Sequence, residues 1–595
     1  MTSLAGSCPI APLRWPVDAE LTLPGSKSEA NRLLVAAAST GREVVVKGAT
    51  PCDDVCHLVA GLATMGFRAQ FVDFDRGVVQ IGPRRENPPT TATLPCGNAG
   101  TALRFLVSVA AVTPGDWTIT GDPRMLRRPI GPLVAAWRQL GVEITDTNGC
   151  PPVHVRGAHC RGSAVTLDPT ISSQFVSSLL LVGAGLPHGL DITFTGPLAS
   201  ADYARLTIDT LRRFGVRASL RGDGARVEPG HGTIPDELQV AGDWSAMGVW
   251  TCLQHLTGSR IRAANLHAGS GQADEGLAAV LQTLTDRAEH TIDVSTTPDQ
   301  FLNLAIVAAL RAGPTLLTGA ANLRHKECDR IAVMARELGK CGARVEELPD
   351  GLRVFGSAPL HGAVIDPEHD HRVAMAFALL GQLVPGITVL EPECVKKSYP
   401  TFWADLDAVG RSHRAIAIIG MRGAGKSTFA KALAERTDSM WIDTDDRFVA
   451  AHGPIGPFVA QHGWAAFRTV EAKLVADALV PGAIVSLGGG AIEDPATRAM
   501  LRERAVAVWL TADAALLRTR LAADPGRPSL TGAPVLDEID AVLVRRTPLY
   551  RDCAQFRLDA KQPTAIQVEQ LLDRLGQHLR DTARLAAPRM LGGHS

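Results

Sequence analysis

Six times in the first four hundred residues, a loop rich in Gly, Ser, Asp or Asn opens a strongly apolar helix-length segment: GSKSEANRLLVAAAS, GNAGTALRFLVSVAAV, ISSQFVSSLLLVGAG, GDWSAMGVWTCLQHL, TPDQFLNLAIVAAL and DHRVAMAFALL. With Ser26, Asn98, Ser172, Asp243, Asp299 and Asp370 as markers, the intervals are 72, 74, 71, 56 and 71 residues. That period exceeds the ~20–50 residues of solenoid repeats, so each repeat is a folding module. A second series alternates with the first. Strands such as VVVKGA, WTITGD, ITFTGP, TLLTGA and TVLEPE lead through polar loops into helices ending near Gly66, Gly141, Gly215 or Gly342. Each module therefore reads as two strand–helix units, and the chain as an α/β protein.

The 595 residues exceed one hydrophobic core and call for three or four folding units. Lys and Arg total 60 against 61 Asp and Glu, and 46% of residues are hydrophobic. This balance excludes bulk electrostatic binding to nucleic acid or anionic membrane, and long disorder. The longest apolar runs, Leu179 to Leu186 and Leu304 to Leu310, are too short to span a bilayer, and the N-terminus lacks a signal-peptide pattern. A cytoplasmic location is expected. The 11 cysteines have no zinc-like spacing and read as reduced thiols.

Helices apolar on every side are buried, yet each still has unpaired N–H groups at its start. Ser and Asp there are ordinarily only N-caps. Cations at the same place oppose the helix dipole and need an anion to offset them. Lys27, Arg32 and Arg372 occupy such starts, beside Asn98, Ser172, Gln174 and Asp299. The second series adds Arg128, Ser200, Lys326, Glu327, Arg330 and Lys397 in its loops. Convergence on anionic substrates follows. His369 and His371 flank Asp370, but Arg372 beside them would repel a metal cation.

After Gly410, the polar stretch RSHR precedes the strand AIAIIG, which runs into GMRGAGKST and the helix FAKALAERT. Gly420, Gly425, Lys426 and Ser427 satisfy G-x-x-x-x-G-K-[ST] in the strand–helix context that a phosphate-binding loop requires. The backbone of Gly423, Ala424, Gly425 and Thr428 would cradle phosphates, Lys426 would reach the β and γ groups, and Ser427 would ligate magnesium.

LPGSKSEANR, GNAGTALR, RMLRRPIG, SSQF, TPDQF, LRHKECDR, DHR and KKSYP occur in that order over residues 20–400. The ordered set resembles the EPSP synthase family. The resemblance implies two lobes, each of three βαβαββ modules, closing on shikimate 3-phosphate and phosphoenolpyruvate without a cofactor. It implies that Ser172, Ser173, Ser200 and Lys326 hold the shikimate phosphate, and that Ser28, Arg32, Gln174 and Asn322 position the ring. Arg128, Arg330, Arg372 and Lys397 would hold phosphoenolpyruvate, Lys27 would touch both substrates, and Gly100 would admit the enolpyruvyl group. Addition across the vinyl bond needs a proton delivered to carbon and one removed from the attacking hydroxyl. Glu327 is the candidate acid; Asp299 and Lys27 are candidates for the second task. Trp244 and Met247 depart from the small residues commoner in this family, which leaves the packing of the second lobe open.

WIDTDD, FRTVE, LGGGAI, DPGRP and RTPLY, in sequence after the phosphate-binding loop, resemble shikimate kinase over residues 413–583. This implies ATP and Mg2+, with Asp445 orienting the attacking hydroxyl, Asp443 acting through magnesium beside Ser427, and Arg468, Arg546, Gly489 and Gly490 holding shikimate. Arg527 would lie in a lid and Arg520 near adenine.

The expected organisation is a synthase-like region over 1–410, with one lobe at about 25–242 and the other at 1–24 plus 243–410. A linker at 411–413, a kinase-like parallel-sheet domain at 414–583 and a tail at 584–595 complete it. The expected function is bifunctional: phosphorylation of shikimate, then enolpyruvyl transfer to the product. Rivals are a UDP-N-acetylglucosamine-type enolpyruvyl transferase, another small-molecule kinase such as a gluconate type, and an inactive scaffold. The expected partners are small molecules alone. Nothing in RSHR predicts an interface between the units, so the intermediate is expected to diffuse freely.

Overall fold

The computed structural model describes residues 6–157, 160–284, 286–522, 534 and 536–585, with only the backbone described over 576–585. Helices Lys27–Ser39, Gly100–Val112 and Ser173–Gly183 pack against one another. Each is buried over most of its circumference because its own sheet covers it from outside. The three sheets share one plan. Val44–Lys47 pairs parallel with Glu237–Gln239 and antiparallel with Val78–Arg84, which pairs with Phe67–Asp73. Thr91–Pro95, Gly115–Thr120, Cys150–Gly157 and Glu143–Thr147 repeat this order. So do Ala164–Leu167, Leu190–Phe194, Gly224–Val227 and Ala218–Arg221.

The second trio of buried helices is Trp244–Thr257, Phe301–Leu310 and His371–Gly381. Here the modules are unequal. Among the described residues, only His290–Asp293, Thr315–Thr318, Gly351–Val354 and Val345–Leu348 build the full four-stranded plan. In the module with the 56-residue interval, Arg260–Ala263 pairs with Asp18–Leu21 alone, and the short helix Leu277–Thr283 follows where a hairpin would run. In the last module Thr388–Leu390 lies between Val364–Ile365 and the N-terminal strand Ser7–Pro9. Met247 is buried in this lobe's core, and Trp244 packs at the core's edge with its indole N–H donating to His267 O at 3.3 Å.

The C-terminal region is a five-stranded, wholly parallel sheet in the order Met440–Asp443, Ala483–Ser486, Ala415–Ile419, Ala505–Thr511, Phe556–Asp559. Its strands AIAII and AIVS are buried at every residue, the pattern of a sheet covered on both faces. Three buried apolar clusters result, and Trp15 belongs to the third although its neighbours Leu13 and Val17 belong to the second. Contrary to the expectation from RSHR, this stretch is not a bare tether. Arg411 ends the helix Phe402–Arg411, and His413 bridges to Val17. The absence of any patterned apolar surface in those four residues hid an interface made by a segment 400 residues away.

Among the described residues, no helix is long and apolar enough to cross a membrane.

Candidate functional site

The two lobes meet over a cavity of about 60 Å³. Lys27, Ser28, Arg32, Gly100, Arg128, Ser172, Ser173, Gln174, Ser200, Asp299, Asn322, Lys326, Glu327, Arg330 and Arg372 all line it. The repeat explains how residues so far apart converge. Residues at or just before the starts of five of the six buried helices, all but Trp244–Thr257, line this space, and several markers act as caps: Ser26 accepts from Glu29 N, Ser172 from Gln174 N, Asp243 from Ser245 N and Asp370 from Arg372 N. Asp299 differs. It sits in the turn Pro298–Gln300, and its carboxylate accepts from Arg330 at 3.0 Å, Arg372 at 2.8 Å and the Tyr203 hydroxyl at 2.9 Å.

Lys397 completes the cluster from behind Glu327, its Nζ 2.7 Å from Oε1 and donating to Asn98 O at 2.5 Å. Arg330 reaches Glu327 Oε2 at 3.1 Å and Arg128 approaches Oε1 at 3.7 Å. Burial pushes the Glu327 carboxyl up, but Lys397, Arg128 and Arg330 outweigh it and hold the group well below the usual carboxylate range. Burial likewise raises Asp299, and Arg372, Arg330 and the neighbouring lysines likewise reverse it. Lys27 stands 3.7 Å from Asp54, and the surrounding carboxylates more than offset the burial that would neutralise its ammonium. Lys326 goes the other way: burial brings its ammonium down to about 8.

Arg32 lines the cavity but is largely occupied. Of its five N–H donors, four go to Thr207 Oγ1, Ser28 O, Ser177 Oγ and Tyr203 O. At Gly100 an added Cβ would lie 2.7 Å from Arg104 Nη1 and 2.8 Å from the Arg128 guanidinium, so a side chain there would displace a cation. Contacts cross between lobes: Tyr203 to Asp299, Asn322 Nδ2 to Ser200 Oγ at 3.3 Å, and Arg124 Nη2 to Lys326 O at 3.0 Å.

Sequence reasoning missed Asp54, Thr101 and Tyr203 as lining residues, and Asp370 as a buried partner that accepts from Arg330 Nε at 2.8 Å. Asp370 was visible as a cap, and only the fold reveals its second duty. His371 lines the cavity, whereas His369 pairs with Glu391 at 2.9 Å on the surface.

The second site lies at the carboxyl end of the parallel sheet, in a cavity of about 340 Å³. Lys426, Asp445, Arg468, Gly489, Gly490 and Arg546 line it, with Arg422, Trp464, Phe467 and Glu471. Gly423 and Gly425 have φ of 80° and 93°, which turns the loop's backbone into the cradle that phosphates need. The helix Lys426–Thr437, which carries Thr428 in its first turn, follows directly. Ser427 Oγ donates to Asp443 Oδ2 at 2.6 Å, an oxygen pair suited to a hard divalent cation. Arg520 donates to Gly423 O, Ala424 O and Ala560 O, which braces the loop from outside. Arg527 lies outside the described residues.

Glu493 escaped the sequence reading. It accepts from Arg545 at 2.8 Å and Arg546 at 2.9 Å, and lies 3.7 Å from Arg468, so it gathers the arginines at the pocket. Arg468 also pairs with Glu471. A Cβ on Gly490 would lie 1.9 Å from Arg468 Nη2.

The EPSP synthase (3-phosphoshikimate 1-carboxyvinyltransferase) family model matches residues 14–406, and the shikimate kinase model matches residues 422–576. The chain belongs to the EPSP synthase family and carries a shikimate kinase domain after it. It is 37% identical over 418 residues to the 3-phosphoshikimate 1-carboxyvinyltransferase of Methanoculleus marisnigri, covering 66% of this chain and 97% of that one. To the pentafunctional AROM polypeptide of Komagataella phaffii it is 31% identical over 611 residues, 91% of this chain and 39% of the relative. The chain thus spans about two fifths of the AROM protein's length. An EPSP synthase structure from Acinetobacter baumannii superposes with a TM-score of 0.57 at 26% identity, over 68% of this chain and 98% of that one.

Proposed function

We propose that this chain makes shikimate 3-phosphate from shikimate and ATP at the second site, and converts it with phosphoenolpyruvate to EPSP and phosphate at the first. One observation carries the synthase assignment. Lys27, Arg128, Lys326, Arg330, Arg372 and Lys397 outnumber the carboxylates set among them, Asp54, Asp299, Glu327 and Asp370. So many buried cations call for polyanionic substrates to balance them.

In this reading Ser172, Ser173, Ser200 and Lys326 take the shikimate phosphate, Ser28, Gln174 and Asn322 orient the ring, and Arg32 supports them from behind. Arg128, Arg330, Arg372 and Lys397 take phosphoenolpyruvate. Asp299, ionised, accepts the proton of the attacking hydroxyl, a task for which the cationic Lys27 is poorly prepared. Glu327 delivers a proton to the methylene carbon. The reverse transfer then takes a proton from the resulting methyl group as the C–O bond to phosphate breaks, which re-forms the vinyl bond and releases phosphate. The three cationic neighbours of Glu327 would turn toward bound anions, and the same burial that they now outweigh would then favour its protonated form.

For the kinase, Asp445 orients the shikimate hydroxyl, Arg468, Arg546, Gly489 and Gly490 hold the ring and carboxylate, and the phosphate-binding loop with Lys426 holds ATP. The donor pair Ser427 and Asp443 fits Mg2+, which when bound would offset phosphate charge. Residues 1–410 would be the synthase unit and 414–583 the kinase unit. Eleven free thiols fit a cytoplasmic setting.

The test is product analysis with the full chain. Shikimate with ATP and magnesium should yield ADP and shikimate 3-phosphate, and the latter with phosphoenolpyruvate should release phosphate. Turnover of UDP-N-acetylglucosamine in place of shikimate 3-phosphate would refute the synthase assignment.

A further inference from the structure

Trp15 is 2% exposed and packs in the apolar cluster of the parallel sheet, together with residues from Ala415 onward. Leu13 and Val17, two residues away on each side, are buried in the second lobe of the synthase. Within five residues the N-terminal segment therefore serves two cores.

Its hydrogen bonds are as specific as its packing. Trp15 Nε1 donates to Arg414 O at 3.0 Å, and the indole lies 4.6 Å from the His413 ring. Arg414 N donates to Pro16 O and Asp18 N to Ser412 O, both at 2.8 Å, with Val17 and His413 bridged between them. This short antiparallel ladder runs straight into Ala415–Ile419, the central strand that leads to the phosphate-binding loop. Arg14 Nη1 donates to Thr437 O at 2.9 Å. Thr437 ends the helix whose first residue is Lys426, so a cation of the synthase segment joins the more distant Ser439 hydroxyl, at 3.4 Å, on a carbonyl at the negative end of that helix. Elsewhere at the boundary, Arg260 meets Glu503 at 3.2 Å, and the helix Thr564–Leu585 lies against Trp244–Thr257.

We propose that residues Arg14 to Asp18 form a strap that completes the kinase unit from the synthase side, with Trp15 as a kinase core residue and Arg14 as the cap of the phosphate-loop helix. The strand, loop and helix that bind phosphate are thereby held at their base by a segment anchored in the second lobe. The surface it meets is the strip formed by His413 of the linker and Arg414 and Thr437 of the kinase unit.

The experiment uses full-length protein and follows the two activities separately after brief heating. Trp15→Ala should lower the temperature at which half the kinase activity is lost by on the order of 10 °C, given what deleting a buried Trp side chain costs and the size of the unit. Synthase inactivation should stay near its original temperature. Arg14→Ala should shift the kinase alone, in the same direction and by less. Should Trp15→Ala not be recovered as folded protein, Trp15→Phe decides by the same split, at smaller size. A kinase transition unmoved by these changes, or synthase and kinase transitions that fall together, would overturn the proposal.

Discussion

Arg128 of the first lobe stands 3.7 Å from Glu327 of the second, so the carboxylate proposed to protonate substrate is gripped across the interlobe cleft. Lys397 and Arg330 complete its surroundings at 2.7 and 3.1 Å. The proposed acid is thus an anion in the free protein, and its neighbours are groups proposed to bind phosphoenolpyruvate.

Glu327→Gln keeps the shape but loses the titrating proton. Synthase kcat should fall by at least ~10²-fold, the scale for losing a general acid. Shikimate 3-phosphate affinity should change little, because Glu327 is assigned no contact with that substrate. Steady-state kinetics with direct binding checks both. Turnover retained within a few-fold would move the acid role elsewhere.

Lys326 sets a pH dependence. Burial brings its ammonium down to about 8, although nearby Asp299 favours the charged form. A bound phosphate dianion would favour the charged form further. Above pH 8 the free protein has lost this proton and binding must restore it, so affinity for shikimate 3-phosphate should fall by up to about tenfold per pH unit. Calorimetric titration near pH 9, in two buffers of different ionisation enthalpy, should report proton uptake. No uptake and a flat affinity would contradict the assignment.

Gly490→Ala probes the kinase pocket. The backbone there has φ of −101°, which any residue accepts, so the added methyl acts through space alone. It would meet the far end of the Arg468 side chain. Stability should barely change, while KM for shikimate should rise about tenfold, roughly the loss of one charge-assisted contact, and KM for ATP should hold. An equal rise for both substrates would mean that the loop as a whole had moved.

How far the sequence carried depended on whether a feature is local. The helix repeat, the caps Ser172 and Asp370, and the loop from Gly420 to Ser427 are written in short stretches with a period or spacing, and the fold realises them. The 56-residue interval stood in the sequence, but it was not read as a shortened module, because spacing alone does not say which strands are missing. Tyr203 on Asp299 and Glu493 among three arginines were not legible, because each depends on which loops the fold brings together. Trp15 is the extreme case. It sits in a segment that otherwise belongs to the second lobe, and no local pattern says that one side chain crosses to another core.

The central claim, two separate active sites acting in sequence on one chain, is tested most directly by mixing single-site variants. Lys426→Ala removes the phosphate-loop ammonium and Glu327→Gln the proposed acid. From shikimate, ATP, magnesium and phosphoenolpyruvate, neither variant alone should form EPSP at more than a small fraction of the normal rate. An equal mixture should restore formation after a lag, as shikimate 3-phosphate from one molecule reaches the other. A mixture as inactive as its parts, with both variants folded and each retaining its unmutated activity, would contradict the account.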